Sequence, residues 1–196
     1  PMSGDGSRFA NTGKYSFPKP LIEIRKGDQN MPMIEMVVRN LNIQANYIFI
    51  VKKEHYEQYD LENVLNRIAP NCKIIQVEHK TEGAACSILL AKEYIDNDSP
   101  LFVANSDQFV PHGEGGWNSN EVLYSFGADT VDGGIVCFNA SHPKWSYVRL
   151  DDNGFVSEVA EKKVISDIAT IGFYYWTKGS DFVWSAEQMI AKDIRV

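Results

Sequence analysis

Cysteine, histidine, basic charge and long apolar runs are all in short supply in this chain, and each shortage excludes something. Cys72, Cys86 and Cys137 are odd in number, far apart and form no C-x-x-C pair. Free thiols in a reducing compartment are therefore expected, rather than a disulfide framework or a zinc site. His55, His79, His112 and His142 fit no catalytic or metal-ligand spacing, which leaves them structural or surface residues. No apolar run approaches the ~18 residues that cross a bilayer, and no signal peptide is present, so the cytoplasm is the expected location. Basic residues number 19 against 26 acidic ones, for a net charge of −7. That balance argues against a nucleic-acid partner or an anionic membrane surface, both of which call for a basic footprint. An acidic protein that binds an acidic ligand must gather its few cations at the site and recruit a metal.

What is present is the composition of one soluble domain over 1–196, 44% hydrophobic and long enough to bury a sizeable core. The most informative stretch opens the chain, Pro1-Met-Ser-Gly-Asp-Gly-Ser-Arg-Phe9, running on to Phe17-Pro-Lys-Pro-Leu-Ile22. Gly4 and Gly6 flank a single residue, so the backbone can turn its N–H groups inward to form an anion-binding concavity. A helix starting near Ser7 would add its positive end, and Arg8 a planar fork suited to phosphate oxygens. Lys19 stands between Pro18 and Pro20, whose fixed φ limits where the ammonium can go. Together these residues predict a polyphosphate site. Phe9 stands where a dinucleotide fingerprint needs its third glycine, and no G-K-[S/T] follows, so neither that fingerprint nor a P-loop is present.

Along the chain, Pro20 to Ile24 alternates briefly and Arg25 to Asn30 reads as a polar turn. Met33, Ile34, Met36, Val37 and Leu41 recur at helical spacing behind Pro32. Tyr47–Val51 is an unbroken apolar run expected of a strand buried on both faces. An amphipathic helix over 54–68, a strand over 73–77, a helix over 82–95 and a strand over 100–104 follow. This alternation predicts an α/β fold, a Rossmann-like three-layer sandwich with a mainly parallel central sheet. The opening loop, the 78–84 segment and the 105–108 segment should converge beyond the carboxyl ends of strands. Residues 133–138 and 170–176 read as strands, 147–159 as a hairpin turning at 151–154, and 180–192 as a helix; they add a small antiparallel portion. Residues 111–118 form a candidate lid, with His112 in it. The chain thus reads as two halves of different character, 1–110 and 111–196, with a short strand expected before Pro1 and a further segment after Val196.

Asn105-Ser-Asp-Gln108 follows the strand 100–104 directly. On position alone Asp107 reads equally as a Mg²⁺ ligand or as a turn cap. The Glu161-Lys162 pair reads by itself as a solvated hairpin edge. Trp145, Tyr147, Tyr174 and Trp176 read as core packing first and as a stacking wall second.

The order G-x-G-[S/T]-R followed by P-K-P resembles the signature of the nucleotidyltransferases that activate sugar phosphates and related small phosphates, and the resemblance runs over nearly the whole chain. It implies that Met2, Ser3, Gly4, Gly6, Ser7, Arg8 and Lys19 bind the nucleotide. Glu82-Gly-Ala-Ala85 resembles the segment whose backbone contacts the base, which adds Glu82, Gly83 and Ala84. Gly133-Gly134 and Thr170-Ile-Gly172 resemble the glycine strands of the acceptor pocket, implying acceptor contacts at Gly134 and Gly172. Glu158-Val-Ala-Glu-Lys-Lys163 resembles the family's V-x-E-K-P segment, implying that Glu161 binds the acceptor and Lys162 its phosphate, with Lys163 in place of proline. Asp107 becomes the Mg²⁺ ligand. Two departures stand out: Asn105 leaves one carboxylate in 105–107, and the family's second, late metal carboxylate has no clear counterpart before Val196.

The resemblance implies in-line attack by an acceptor phosphate on the α-phosphorus of a nucleoside triphosphate, with Arg8, Lys19 and Lys162 as catalytic cations and pyrophosphate as product. CTP is the favoured donor. The acceptor is a sugar 1-phosphate or a non-sugar phosphate such as phosphocholine or a phosphorylated amino acid, in surface-polysaccharide precursor synthesis. A homo-oligomer is compatible with this scheme. The alternatives are a glycosyltransferase using a nucleotide sugar and a non-catalytic nucleotide-binding subunit.

Overall fold

The computed structural model describes residues 1–4, 17–111, 118–128 and 131–193. The first strands, β1 (Glu23–Lys26) and β2 (Gln29–Pro32), form an antiparallel hairpin around Gly27 and Asp28, where a polar turn alone is expected from sequence. The turn residues occupy only the tip, and the polar flanks pair through their backbones. Pro32 then caps α1 (Met33–Leu41), whose inward face is Ile34, Met36, Val37, Asn40 and Leu41, and which stops at left-handed Asn42.

Strand β3 (Ile48–Lys52) carries the unbroken apolar run and is covered on both faces. Ile50 packs into one core with Ile88, Ile95, Val103, Phe182 and Val183. Phe49 and Val51 point the other way, into a second core with Met2, Leu21, Ile34, Leu61 and Leu65. Because neighbouring residues of a strand face opposite sides, a strand sandwiched between two cores has no polar face to show.

Two stretches expected as single helices are each broken in two. The first gives α2 (Lys53–Gln58) and α3 (Leu61–Ile68), separated at Asp60 with φ 48°. The second gives α4 (Ala84–Leu89) and α5 (Lys92–Ile95). There the amides of Leu90 and Ala91 bond back only three residues, to Ser87 and Ile88, so the turn tightens and the axis is interrupted. Between these pairs lies β4 (Lys73–Val77), parallel to β3 with Ile50 opposite Ile75.

After β5 (Leu101–Ala104) comes α6 (Ser119–Ala128), a helix its sequence does not announce. Strands β6 (Gly133–Asn139), β7 (Tyr147–Leu150), β8 (Val156–Ala160) and β9 (Ile168–Trp176) follow, and α7 (Gly179–Ala191) closes the described chain. β9 is the spine of a five-stranded antiparallel sheet ordered β5-β9-β7-β8. Its residues 173–176 pair with β5 while its length pairs with β6, so β5 and β7 share the edge opposite β6. The chain is therefore α/β, with helices over both faces of β3. Among the described residues the parallel part is β3–β4 alone, and the antiparallel part is the larger because β9 runs against every strand it touches.

Residues 1–4 run alongside β3, with the Met2 N–H donating to the Ile50 carbonyl at 2.7 Å. An apolar cavity of about 160 Å³ lies between β3 and β5, lined by Pro1, Ile48, Ile50, Leu101 and Val103 among others.

Candidate functional site

Lys19 begins a single 3-10 turn, Lys19–Leu21, entered from Pro18 at φ −61°. The Leu21 N–H closes the turn on the Pro18 carbonyl at 2.8 Å, and Leu21 itself is buried in the second core. A short turn with one residue anchored and two prolines fixing φ projects the Lys19 side chain in one direction. Its ammonium forms an ion pair with the Asp107 carboxylate; the two side chains are 29% and 31% exposed.

Asp107 lies in the segment that leaves β5. The Asn105 N–H donates to the Gly172 carbonyl at 3.2 Å, tying the start of that segment to β9. Farther on, the Asn40 side chain donates to the Val110 carbonyl at 2.8 Å and accepts the Val110 N–H at 2.9 Å. Asn40 is only 2% exposed, so a buried amide on α1 stands in for a neighbouring strand. Sequence reasoning passed over Asn40; the signal was a polar residue on the otherwise apolar face of the 33–41 helix.

Of the residues expected on the nucleotide side, those at the chain start lie beside the middle of β3 and reach α4. Met2 is buried, Ser3 lies 3.3 Å from Ser87 on α4 oxygen to oxygen, and Gly4 is exposed. Glu82 and Gly83 precede α4 and Ala84 opens it. The chain start and the 82–84 segment are therefore brought together, as are Lys19 and Asp107. Pro1 and Met2 also line the cavity that Asn105 and Ser106 line. Gly6, Ser7 and Arg8, the helix expected near Ser7, and residues 112–117 of the candidate lid, His112 included, lie outside the described residues.

On the acceptor side, Gly172 sits in β9 at φ +79°, and a Cβ there would stand 2.0 Å from the Asn105 amide nitrogen. Glycine is thus required twice over, by conformation and by the neighbour. Two residues earlier, the Thr170 N–H donates to the Ser146 carbonyl at 2.8 Å. The Ser146 hydroxyl in turn donates to one oxygen of Glu161, while the Lys162 ammonium holds the other at 2.8 Å. A run of contacts thus leads from the Asp107 segment through Asn105, Gly172, Thr170 and Ser146 to Glu161. Lys162 has φ 50°, which turns the chain sharply after β8. Ser146 went unnoticed in the sequence because a lone serine before a strand carries no signal.

The Lys162 ammonium and then the Ser146 hydroxyl hold the Glu161 carboxyl below its ordinary range. Both favour the charged form, so Glu161 stays a carboxylate able to accept a hydroxyl or ammonium.

Gly134 lies elsewhere in character. The ring of Phe126, from α6, fills the space where its Cβ would be, at 2.3 Å, and stacks on Tyr175 at 5.3 Å between centroids. Of the four aromatics, Tyr147 is fully buried and donates to the His142 carbonyl at 2.8 Å. Tyr174 and Trp176 pack against the first core. Trp145 meets Phe138 edge-on at 5.1 Å, with the Lys144 ammonium 4.5 Å from its ring centre.

Among the described residues no group of three or more histidine, cysteine, aspartate or glutamate side chains could hold a metal. Asp107 alone fits a hard cation that takes its other oxygens from phosphate and water, which is how Mg²⁺ sits in phosphate-binding sites.

The family described as nucleotidyl transferase matches residues 2–182. No curated relative matches the chain. Solved structures of similar fold include a nucleoside-diphosphate-sugar pyrophosphorylase from Vibrio cholerae RC9, at 22% identity and TM-score 0.75, over 97% of this chain and 77% of that one. An inositol-1-phosphate CTP transferase from T. maritima superposes at 18% identity and TM-score 0.69, over 100% of this chain and 74% of that one. A UTP-bound UGPase from Acinetobacter baumannii does so at 17% identity and TM-score 0.68, over 98% and 81%.

Proposed function

The chain belongs to the nucleotidyl transferase family, and from that membership we propose that it transfers a nucleoside monophosphate, from CTP in preference, to a phosphorylated small acceptor in surface-polysaccharide precursor synthesis. An oxygen of the acceptor's phosphate attacks the α-phosphorus, the bond to the β-phosphate breaks, and pyrophosphate leaves with the electron pair. A phosphate monoester needs no general base, so catalysis is positioning and charge neutralisation.

Lys19 holds the α-phosphate, Gly4 to Arg8 the β- and γ-phosphates, and Glu82, Gly83 and Ala84 border the base. Lys162 takes the acceptor's phosphate, and Glu161 and Gly172 take the rest of the acceptor. Asp107 would hold Mg²⁺, which when bound neutralises charge on the phosphates. The observation that supports this reading best is the ion pair between Lys19 and Asp107, two residues 88 apart in the chain. The choice of CTP and of a small acceptor draws on the similar fold of the inositol-1-phosphate CTP transferase.

The test is a pyrophosphate-release screen of four or five triphosphates against phosphorylated sugars, alcohols and amino acids with Mg²⁺. Release with CTP and one acceptor class is the expected result. Turnover of a nucleotide sugar without pyrophosphate would make the protein a glycosyltransferase instead, and nucleotide-dependent stabilisation without any turnover would make it a binding subunit.

A further inference from the structure

The turn ahead of α4 contains a hydroxyl cluster centred on Ser87, which has no part in the reaction above. Ser87 is 3% exposed, and its side-chain oxygen meets three partners from two segments of the chain. Ser3 Oγ lies 3.3 Å away, Thr81 Oγ1 is in hydrogen-bond contact, and the Gly83 carbonyl is 3.2 Å away. Thr81 Oγ1 also lies 3.3 Å from the Gly83 carbonyl, so of the Thr81 and Ser87 protons one fills the Thr81–Ser87 bond and the other goes to Gly83, while Ser3 can donate to Ser87 Oγ. The Gly83 carbonyl also accepts the Ser87 N–H at 3.1 Å, which starts the helix.

The geometry points to Ser87 as a positioning residue that locks the approach to the phosphate loop against the loop beneath the base. Ser3 immediately precedes Gly4, and Gly83 lies between Glu82 and Ala84, so the two strips fixed by one hydroxyl are those assigned to opposite ends of the nucleotide. This rests on the reading that both strips contact the triphosphate. A residue in this position sets the spacing between phosphate and base sites through Ser3 and Gly83 rather than through the nucleotide, and that spacing is what a preorganised site must hold.

Ser87→Ala removes the node while leaving the helix backbone intact. Its expected signature is a KM for the triphosphate raised roughly three- to tenfold, the size of one lost hydrogen bond, with kcat and the acceptor KM little changed. Ser3→Ala should raise the same KM, and the Ser3→Ala/Ser87→Ala double variant should cost less than the sum of the two single variants, because both remove the Ser3–Ser87 linkage. Amide exchange supplies a second readout that needs no turnover: in Ser87→Ala both residues 2–4 and residues 81–84 should exchange faster, while α7 does not. An unchanged triphosphate KM, a uniform fall in kcat with both KM values raised, or faster exchange confined to 81–84 would each overturn the role and leave Ser87 a helix-start contact. If the wild type releases no pyrophosphate with any acceptor, the transfer reading fails, and the exchange pattern still decides whether Ser87 joins the two strips.

Discussion

Lys19 and Asp107, 88 residues apart in the chain, hold each other in an ion pair at the edge where β5 ends. An ammonium that neutralises the carboxylate also competes with any cation the carboxylate takes up. Lys19→Met should therefore do two opposite things: tighten the binding of Mn²⁺ measured without nucleotide, and lower the rate of pyrophosphate release by roughly 10²–10³-fold, the scale of losing one preorganised charge partner. The fold should be unaffected, since both side chains are partly exposed. Near-normal turnover in this variant would remove Lys19 from the chemistry.

The Asp107 segment is held by a residue far from it in sequence. Asn40 makes two hydrogen bonds to Val110 from a buried position. Asn40→Ala leaves the Val110 N–H and carbonyl without those partners and should cost about 1–3 kcal/mol of stability. Amide exchange at residues 107–110 should rise more than at β3. Equal acceleration throughout would make Asn40 a general core contact rather than a clamp on the Asp107 segment.

Gly172 offers a test that separates two kinds of strain. Gly172→Ala places a Cβ 2.0 Å from the Asn105 amide and also forces an alanine to φ +79°. The conformational part alone costs on the order of 1–2 kcal/mol. Adding Asn105→Ala should recover the steric part and leave the conformational part, so the double variant should unfold at a urea concentration between those of wild type and Gly172→Ala. A double variant no better than the single one would mean that Asn105 moves aside at no cost.

Periodicity and punctuation made most of this architecture legible. The run 47–51 announced a strand buried on both faces because β3 does separate two cores. Lys19 stood out because two prolines flank it, whereas Asp107 after a strand end reads equally as a turn cap, and the structure pairs the two. The failures have physical causes. Asp60 adopts a left-handed conformation inside a stretch whose apolar spacing runs straight through it, so one helix becomes two. α6 buries little beyond Ser119 and meets β9 mainly through Phe126, leaving no stripe to detect. Ser87, Asn40 and Ser146 are ordinary residues whose importance comes from partners distant in the chain, and one sequence does not show such pairings.

Glu161 provides the pH test. Its folded carboxyl lies below the ordinary 4.5, first through the Lys162 ammonium and then through the Ser146 hydroxyl. The sign follows from linkage: a carboxyl depressed on folding contributes stability that is present above its unfolded value and is lost as pH falls through the folded one. The part of acceptor affinity that depends on the Glu161 carboxylate should thus persist to lower pH than an ordinary glutamate would allow and be lost as pH falls through the folded value. Ser146→Ala removes one of the two bonds that favour the charged form, so the midpoint of that loss should move up toward 4.5 while the triphosphate KM stays where it was. Calorimetric titration of the acceptor across roughly one to one and a half units either side of an ordinary glutamate, about pH 3–6, would register the shift. A midpoint that does not move in Ser146→Ala would show that Lys162 alone sets the charge of Glu161.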